Sequence, residues 1–257
     1  MANTFGYSFG YDMRILAGKY KGQEVCSPPH GTLILRPTMA ATKNSLFAML
    51  TNLLNFEGIN VLDLYSGSGS LGFESLSRGA KFVTFIEKRK PVVACIHETG
   101  ARLNIPRADY KTFCTKVESF INKRKAGHHW ALSQVEHYDL IFSDAPYRKE
   151  IVLNGNELVK EILESNLYKR ETIFVIELAS TVEMLESFES GGRTATRLKA
   201  KQSGDTSFYI YKIHDWNVND ETKEQAREKS QAALIKDQQT NKEEQNQNQE
   251  SKSISNT

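Results

Sequence analysis

The chain lacks two patterns that mark secreted and membrane proteins, which are closely spaced cysteines and long apolar runs. Its three cysteines, Cys26, Cys95 and Cys114, show no C-x-x-C spacing, so they predict neither a disulfide framework nor a metal site. No apolar run approaches the length of about 20 residues that a membrane-spanning helix needs, and the N-terminus lacks the basic and apolar blocks of a signal peptide. We therefore expect a cytoplasmic protein with no metal and no membrane partner, monomeric by default.

Aromatic residues are missing after Trp216. From 217 to 257 the chain carries six Lys/Arg and eight Asp/Glu, a net charge of −2, so the remainder carries +4. A composition of Gln, Asn, Lys, Glu and Ser cannot bury enough apolar surface to offset the entropy of ordering. We predict a disordered polar tail over 217–257, a folded domain over 13–216 and a flexible extension over 1–12.

One stretch carries the pattern of a nucleotide-binding turn. The mostly apolar run 61–64 predicts a short buried strand, and it leads into Gly67-x-Gly69-x-x-Gly72 and a helix over 71–78. Glycines at this spacing allow a tight turn, close approach of the backbone to a ligand and close packing of helix on strand, while the helix N-terminus offers unpaired N–H groups. The sequence therefore predicts a ligand site where this strand ends.

Acidic residues around this turn narrow the choice of ligand. Glu87 ends the strand predicted over 81–86, twenty residues beyond Gly67, where a carboxylate accepts hydrogen bonds from both ribose hydroxyls. A dinucleotide and S-adenosylmethionine both carry such a ribose. Asp63 favours S-adenosylmethionine, because a carboxylate just before the turn repels a pyrophosphate and suits the amino group of a methionine moiety.

Strands and helices alternate through the rest of the domain. The sequence predicts helices over 39–54, 91–104 and 116–125, and strands over 110–114, 138–143 and 172–176. This alternation is typical of a parallel sheet with helices on both faces. We therefore predict an α/β fold that binds ligands at the carboxyl ends of its strands.

The fourth predicted strand ends in Asp144-Ala145-Pro146-Tyr147. An exocyclic amine of a nucleobase is a poor nucleophile because its lone pair is delocalised into the ring. The Asp144 carboxylate and the Ala145 carbonyl are acceptors that can hold such an amine with its lone pair toward a methyl group. Pro146 biases Ala145 toward an extended conformation, and Tyr147 offers a stacking face for a base taken out of its helix. The tetrapeptide predicts methylation of a base amine, and a plain surface turn is the alternative.

The segment 13–43 is basic. It contains five basic residues and one acid, Glu24, a local net charge of +4. Basic residues interleaved with Tyr20, glycines and prolines suit an arm or hairpin that contacts phosphates. On charge alone, a solvated basic hairpin is an equally good interpretation.

Together these pieces resemble the bacterial methyltransferase family that modifies N2 of a guanine in 16S ribosomal RNA of the small subunit. The resemblance runs from Met13 to about Ile213 and depends on the order and spacing of short segments. They are Met13-Arg14-Ile15 with Gly18-Lys19-Tyr20-Lys21-Gly22, Arg36-Pro37-Thr38 with Leu46-Phe47, 61–69 with Leu71-Gly72, 74–80, Phe85-Ile86-Glu87, Asn104 and the Asp144 tetrapeptide.

The resemblance implies a Rossmann-like class I methyltransferase: a seven-stranded, mostly parallel sheet with an antiparallel last strand, helices on both faces and a basic N-terminal hairpin. It implies S-adenosylmethionine as cofactor and, as partner, 16S rRNA within an assembling small ribosomal subunit. Carried over by position, the target-base site is Asp144, Ala145, Pro146 and Tyr147, the cofactor site is Asp63, Tyr65, Ser66, Gly67, Gly69, Glu87 and Thr115, and the RNA contacts are Arg14, Lys19, Lys21, Arg36 and Lys43.

The chain departs from the family pattern at three places. Ala145 stands where the family usually has proline, so we expect a less rigid loop and slower chemistry. Lys43 stands in a segment where the family has arginines, and it cannot reproduce a bidentate arginine contact. Lys116 replaces an acidic or amide residue near the adenine, and Thr115 is the alternative contact there.

Two other classes of function stay open from the sequence. A DNA adenine-N6 methyltransferase shares the cofactor turn and an acidic tetrapeptide, although the chain has no insertion that would read DNA. A non-catalytic RNA-binding protein with a decayed methyltransferase fold would account for all three departures. Cofactor binding separates the decayed fold from either enzyme.

Overall fold

The computed structural model describes residues 13–27, 40–127, 135–145 and 155–214. These residues form five helices and one eight-stranded sheet with the strand order β3-β2-β1-β4-β5-β8-β7-β6. The strands are β1 Asn60–Leu64, β2 Phe82–Glu87, β3 Tyr110–Cys114, β4 Tyr138–Asp144, β5 Tyr168–Ala179, β6 Ser187–Ser190, β7 Arg193–Ser203 and β8 Thr206–Ile213. The helices are α1 Ala40–Thr51, α2 Ser70–Ser77, α3 Lys90–Arg102, α4 Val117–Lys125 and α5 Gly155–Leu163. Across the described ranges, no helix is both long and apolar enough to cross a membrane.

The first five strands are parallel to one another, as the alternation of strands and helices predicts. Strands buried on both faces read as continuous apolar runs, and all six residues of β2 and four of the five in β1 are buried. The predicted bounds of the elements up to β4 agree with the structure to within a few residues. The strand predicted over 172–176 is longer, because β5 begins at Tyr168 and ends at Ala179.

The last three strands in the sheet order, β8, β7 and β6, are joined by antiparallel pairing. β8, the last strand of the described chain, runs antiparallel to β5, which confirms the expected direction. The predicted count of seven strands is corrected to eight by β6, which pairs with β7 at the edge. Gly191 and Gly192, with φ of 58° and 76°, form the two-residue connection between β6 and β7. Such a loop, with positive φ at both positions, is the type that closes tight hairpins.

Helices cover both faces of the sheet, as predicted. One face packs against α1, α2 and α3 through a cluster that contains Phe47, Phe73 and Ile96. The opposite face packs against α4 and α5 through a cluster that contains Phe120 and Ile162. We call these the α1 face and the α5 face, because β-strand side chains alternate between them.

Residues 13–27 form the expected basic hairpin, which lies on the α1 face. The chain turns back on itself, with Ile15 N donating to Gln23 O at 2.9 Å and Val25 N donating to Met13 O at 2.9 Å. Met13, Ile15 and Val25 are buried in the same cluster as α1 and α2. This N-terminal hairpin is therefore packed against the domain.

Candidate functional site

The site is built at the carboxyl end of β1, where the chain turns into α2. Gly69 adopts φ 85° and accepts the first bond of α2 from Phe73 N at 2.9 Å. A Cβ at Gly72 would lie 2.2 Å from Cε1 of Phe85, so a glycine is required for α2 to pack on β2. The glycine pattern therefore does what the sequence predicts, bringing the amino end of a helix against the ends of two strands.

Asp63 lies beneath this turn. It is 1% exposed, and its Oδ2 accepts a hydrogen bond from Gly72 N at 3.0 Å. Its Oδ1 is buried without a hydrogen-bond partner among the described residues. Burial raises the pKa of the Asp63 carboxyl well above its usual range; the Gly72 N–H lowers it in part, and the carboxylates of Asp144 and Glu87 raise it further. One oxygen of a buried acid is thus left for a donor that the described residues do not supply.

Glu87 lies on the other side of the turn. Its Oε2 accepts from Gly67 N at 3.2 Å, and its Oε1 accepts from Arg89 N at 2.9 Å and Arg89 Nε at 2.8 Å. The carboxylate is only 4% exposed, and Arg89, a residue that sequence reasoning missed, covers it from the solvent side. The twenty-residue spacing from Gly67 to Glu87 therefore corresponds to a direct contact.

The other predicted cofactor residues surround the same turn. Ser66 N donates to Ile86 O at 3.0 Å, and Thr115 N donates to Glu87 O at 3.1 Å. Tyr65, with φ 53°, donates its hydroxyl to Glu118 at 3.1 Å. The structure thus brings every predicted cofactor residue to the ends of β1, β2 and β3.

Asp144 ends β4 on the same edge of the sheet. It is half-buried and lies in register with Glu177 of β5. Ser143 Oγ, just before it, is buried without a hydrogen-bond partner in the described chain, and no sequence pattern pointed to this residue. Ala145 is 3% exposed, whereas Pro146 and Tyr147 lie outside the described residues.

Four carboxylates therefore lie at one edge of the sheet, at the ends of adjacent strands. They belong to Glu87, Asp63, Asp144 and Glu177. A cationic ligand is attracted to such an edge and a pyrophosphate is repelled. Among the described residues, no group of three or more His, Cys, Asp or Glu side chains has the geometry to hold a metal ion.

The predicted RNA contacts have different surroundings. Lys19 and Lys21 are exposed, and Arg14 is half-exposed and pairs with Glu24 at 3.3 Å. Arg36 lies outside the described residues. The prediction for Lys43 as an RNA contact is wrong, because the residue is 1% exposed and its ammonium donates to Arg14 O at 2.7 Å and Ser70 Oγ at 3.1 Å.

Glu74 is the residue that holds the N-terminal hairpin on α2, and sequence reasoning assigned it no role. It is fully buried and accepts from Leu16 N at 2.7 Å and Ala17 N at 3.1 Å. It also pairs with Arg78 at 2.8 Å and with Lys43 at 3.6 Å. A glutamate four residues before an arginine inside an apolar helix was the available signal, since this spacing places the two side chains together.

A cleft of about 680 Å³ lies between the tip of this hairpin and the end of α1, lined in part by Gly18, Asn52 and Arg78. It adjoins the carboxyl end of α2, and none of the described residues predicted for the cofactor or target-base site lines it. The chemistry predicted for this chain therefore belongs to the opposite end of α2.

Comparison with known proteins agrees with this geometry. The family model described as Conserved hypothetical protein 95 matches residues 13–212. An uncharacterized methylase of Rickettsia prowazekii (strain Madrid E) is 32% identical over 208 residues, which cover 66% of this chain and 86% of that relative. Ribosomal RNA small subunit methyltransferase D of Haemophilus influenzae is 26% identical over 200 residues, which cover 78% of this chain and 93% of that relative.

A solved structure has the same fold. It is that of a candidate methyltransferase named yhhF from Escherichia coli, which superposes with a TM-score of 0.62 at 22% sequence identity. The match covers 79% of this chain and 98% of that one. The sheet and its helices thus extend over nearly the whole length of that structure.

Proposed function

We propose that this chain, which belongs to the Conserved hypothetical protein 95 family, transfers a methyl group from S-adenosylmethionine to ribosomal RNA of the small subunit. We assign the acceptor as the exocyclic N2 amine of a guanine. The open oxygen of buried Asp63, beside Glu87 and the glycine turn, is the observation that carries the proposal. It supports a cationic adenosine cofactor and disfavours a dinucleotide.

The residues around the turn fit this cofactor. Asp63 Oδ1 offers an acceptor to the amino group of the methionine moiety, and Glu87 offers acceptors to the ribose hydroxyls. Arg89 must give up part of its contact with Glu87 for those hydroxyls to bind. The bound cofactor supplies an electrophilic methyl group on a sulfonium.

Asp144 and Ala145 prepare the acceptor. The Asp144 carboxylate and the Ala145 carbonyl accept hydrogen bonds from the two N–H groups of the amine, which directs its lone pair toward the methyl group. The amine would take up the methyl group that the bound cofactor would supply, and the resulting cation would return to a neutral amine by releasing one proton to solvent water. Asp144 stabilises that positive charge as it develops.

The choice of guanine in RNA depends on the family. The Haemophilus influenzae relative is named for small-subunit RNA, and the N-terminal hairpin presents Lys19 and Lys21 to solvent, where phosphates can reach them. The reaction chemistry at Asp144 also suits the N6 amine of adenine. The product nucleoside is therefore the measurement that separates the two.

The experiment is methyl transfer from labelled S-adenosylmethionine to small-subunit particles from cells that lack the enzyme. We expect N2-methylguanosine from the wild type, none from Asp144→Ala, and faster transfer from Ala145→Pro, because proline restores the rigid loop. Cofactor binding by each variant is measured in parallel, and it should persist in both, because Asp63 and Glu87 are unchanged. Transfer that persists in Asp144→Ala contradicts the assigned chemistry.

Two results would replace the proposal. N6-methyladenosine as the product would identify the adenine-specific enzyme. Absence of transfer by the wild type, with RNA binding intact, would identify a non-catalytic RNA-binding protein.

A further inference from the structure

Two basic hairpins flank the amino-terminal turn of α1. On one side, Lys43 Nζ donates to the backbone oxygen of Arg14 in the N-terminal hairpin at 2.7 Å. On the other side, Thr42 Oγ1 lies 3.0 Å from Ser203 Oγ, at the tip of the hairpin formed by β7 and β8. Consecutive residues of one helix therefore hold both hairpins in place.

The strand β7 is strongly basic. It contains Arg193, Arg197, Lys199 and Lys201 and no acidic residue. Both guanidinium groups bind within the domain: Arg193 donates to Leu163 O at 2.8 Å, and Arg197 donates to Met184 O at 2.9 Å. The two lysines are exposed, and neither ammonium has a hydrogen bond or ion pair within the described part of the chain.

A bulge directs these charges to opposite faces. The pairing with β8 shifts between Arg197 and Lys199, so that Leu198 is the extra residue. Arg197 pairs with Tyr211, which faces α5, whereas Lys199 pairs with Ile210, which faces α1. One extra residue moves every later side chain to the other face. Without the bulge, both lysines would lie on the α5 face, away from the N-terminal hairpin.

Lys201 is level with Asp144 of the target-base site. Lys201 pairs with Phe208, Phe208 with Glu177, and Glu177 with Asp144. This row crosses three strand spacings of about 4.8 Å each, so Lys201 and Asp144 are separated by roughly 14 Å along one edge of the sheet. A few nucleotides of a single strand span that distance. The row places the Lys201 ammonium within reach of a strand whose base enters the Asp144 site, and Lys199 lies two residues earlier on the same face of β7.

We propose that the β7–β8 hairpin is a second RNA-binding arm, in which Lys199 and Lys201 contact phosphates of the strand next to the target base. The N-terminal hairpin contacts the RNA on the other side of α1. The occupant is a polyanion, because the arm presents lysine charges without an apolar patch large enough for a protein partner. The inference rests on the proposed function, and it extends the RNA-binding surface from the N-terminal hairpin across α1 to the β7–β8 hairpin.

The test is the salt dependence of RNA binding by the full chain. The probe is small-subunit RNA, and the variant is Lys199→Gln with Lys201→Gln. The logarithm of the RNA association constant falls with the logarithm of the salt concentration, and each phosphate contact adds about 0.7 to 0.9 to the steepness of that fall. Losing two contacts in the double variant should therefore make the slope less steep by about 1.4 to 1.8. In methyl transfer, KM for the particle should rise and kcat should stay unchanged, since neither lysine touches the reacting atoms.

Two controls isolate the arm from general charge effects. Lys81→Gln with Lys160→Gln removes the same charge from exposed positions before β2 and on α5, and it should leave the slope unchanged. Lys199→Arg with Lys201→Arg keeps the charge and should keep the slope. Thermal midpoints of all variants should match that of the wild type.

The outcomes are distinct. A slope and a KM that stay at wild-type values in the Gln variant, while the wild type transfers methyl groups, overturn the arm and leave the proposed function intact. An equal loss of slope in the Lys81/Lys160 control also overturns it, because the effect would then be one of net charge. If the wild type transfers no methyl group, the proposed function is wrong. The salt dependence of RNA binding still tests whether the β7–β8 arm contacts RNA.

Discussion

Asp63 keeps a carboxyl group beneath the glycine turn, where only 1% of the residue is exposed. A buried acid with one unpaired oxygen is costly to ionise, and the nearby Asp144 and Glu87 carboxylates add to that cost. The folded pKa is therefore raised above the unfolded value of about 3.9. Between the unfolded and the folded pKa, the folded chain keeps this proton and the unfolded chain has lost it. The free energy of unfolding therefore falls as pH rises from the unfolded pKa to the folded pKa of Asp63.

Asp63→Asn should therefore stabilise the cofactor-free protein at neutral pH. Asparagine keeps an oxygen for Gly72 N and removes the charge, so the melting temperature should rise relative to the wild type. The difference should shrink as pH is lowered through the unfolded pKa of about 3.9, because below that pH the wild-type carboxyl is neutral in both states. Calorimetric melting at several pH values checks this, and a lower melting temperature of the variant at pH 7 would contradict it.

The same substitution should weaken binding of S-adenosylmethionine. An ammonium that pairs with Asp63 requires the charged carboxylate, and losing one partner of a buried charge pair costs about 2 to 5 kcal/mol. The wild-type affinity should rise with pH until the raised pKa of Asp63 is passed, and it should become flat in Asp63→Asn. Titration calorimetry in two buffers should show proton release on binding below that pKa. Equal pH profiles for both proteins would exclude the pairing.

At the scale of elements, the N-terminal hairpin and α2 act as one unit through Glu74. Two backbone N–H groups of the hairpin, Arg78 and Lys43 all converge on this buried carboxylate. Met13 Sδ also lies 3.6 Å from Ser68 Oγ inside the glycine turn. The hairpin proposed to bind RNA is therefore in contact with the turn proposed to bind the cofactor.

Glu74→Gln should lower the free energy of unfolding by about 3 to 5 kcal/mol, because it leaves the buried Lys43 ammonium without its counter-charge. Urea denaturation measures this. Lys43→Met in the Glu74→Gln background should recover part of the loss, since the uncompensated charge is then gone. A loss that persists undiminished in the double variant would show that the ion pair is not its cause.

The exposed pair Arg14 and Glu24 provides the matched control for that measurement. It joins the two strands of the same hairpin, but its side chains are 53% and 65% exposed. Glu24→Gln should therefore change stability by less than about 1 kcal/mol. A loss as large as that of Glu74→Gln would mean that any charge change in the hairpin destabilises it.

The sequence predicted the parallel core of the molecule better than its edges. Alternating elements and the Gly67 to Glu87 spacing are local signals, so the parallel strands and the position of Glu87 beside the glycine turn followed from them. The burial of Lys43 did not follow, because it depends on how α1, α2 and the N-terminal hairpin meet in three dimensions. β6 was missed although Gly191-Gly192 is a hairpin signal, since four residues are too few for a clear period of two.

The prediction for the polar tail concerns the molecule as a whole. All described residues belong to one compact unit, Met1–Asp215, and the tail over 217–257 carries a net charge of −2 against +4 for the rest of the chain. Removing 217–257 should leave the melting temperature and the affinity for S-adenosylmethionine unchanged, because its composition cannot build a core. RNA affinity at low salt should rise slightly, since removing a segment with a net charge of −2 lowers the repulsion between the chain and the phosphates. A drop in melting temperature of several degrees would show that the tail packs on the domain, and a loss of RNA affinity would show that its six basic residues bind the substrate.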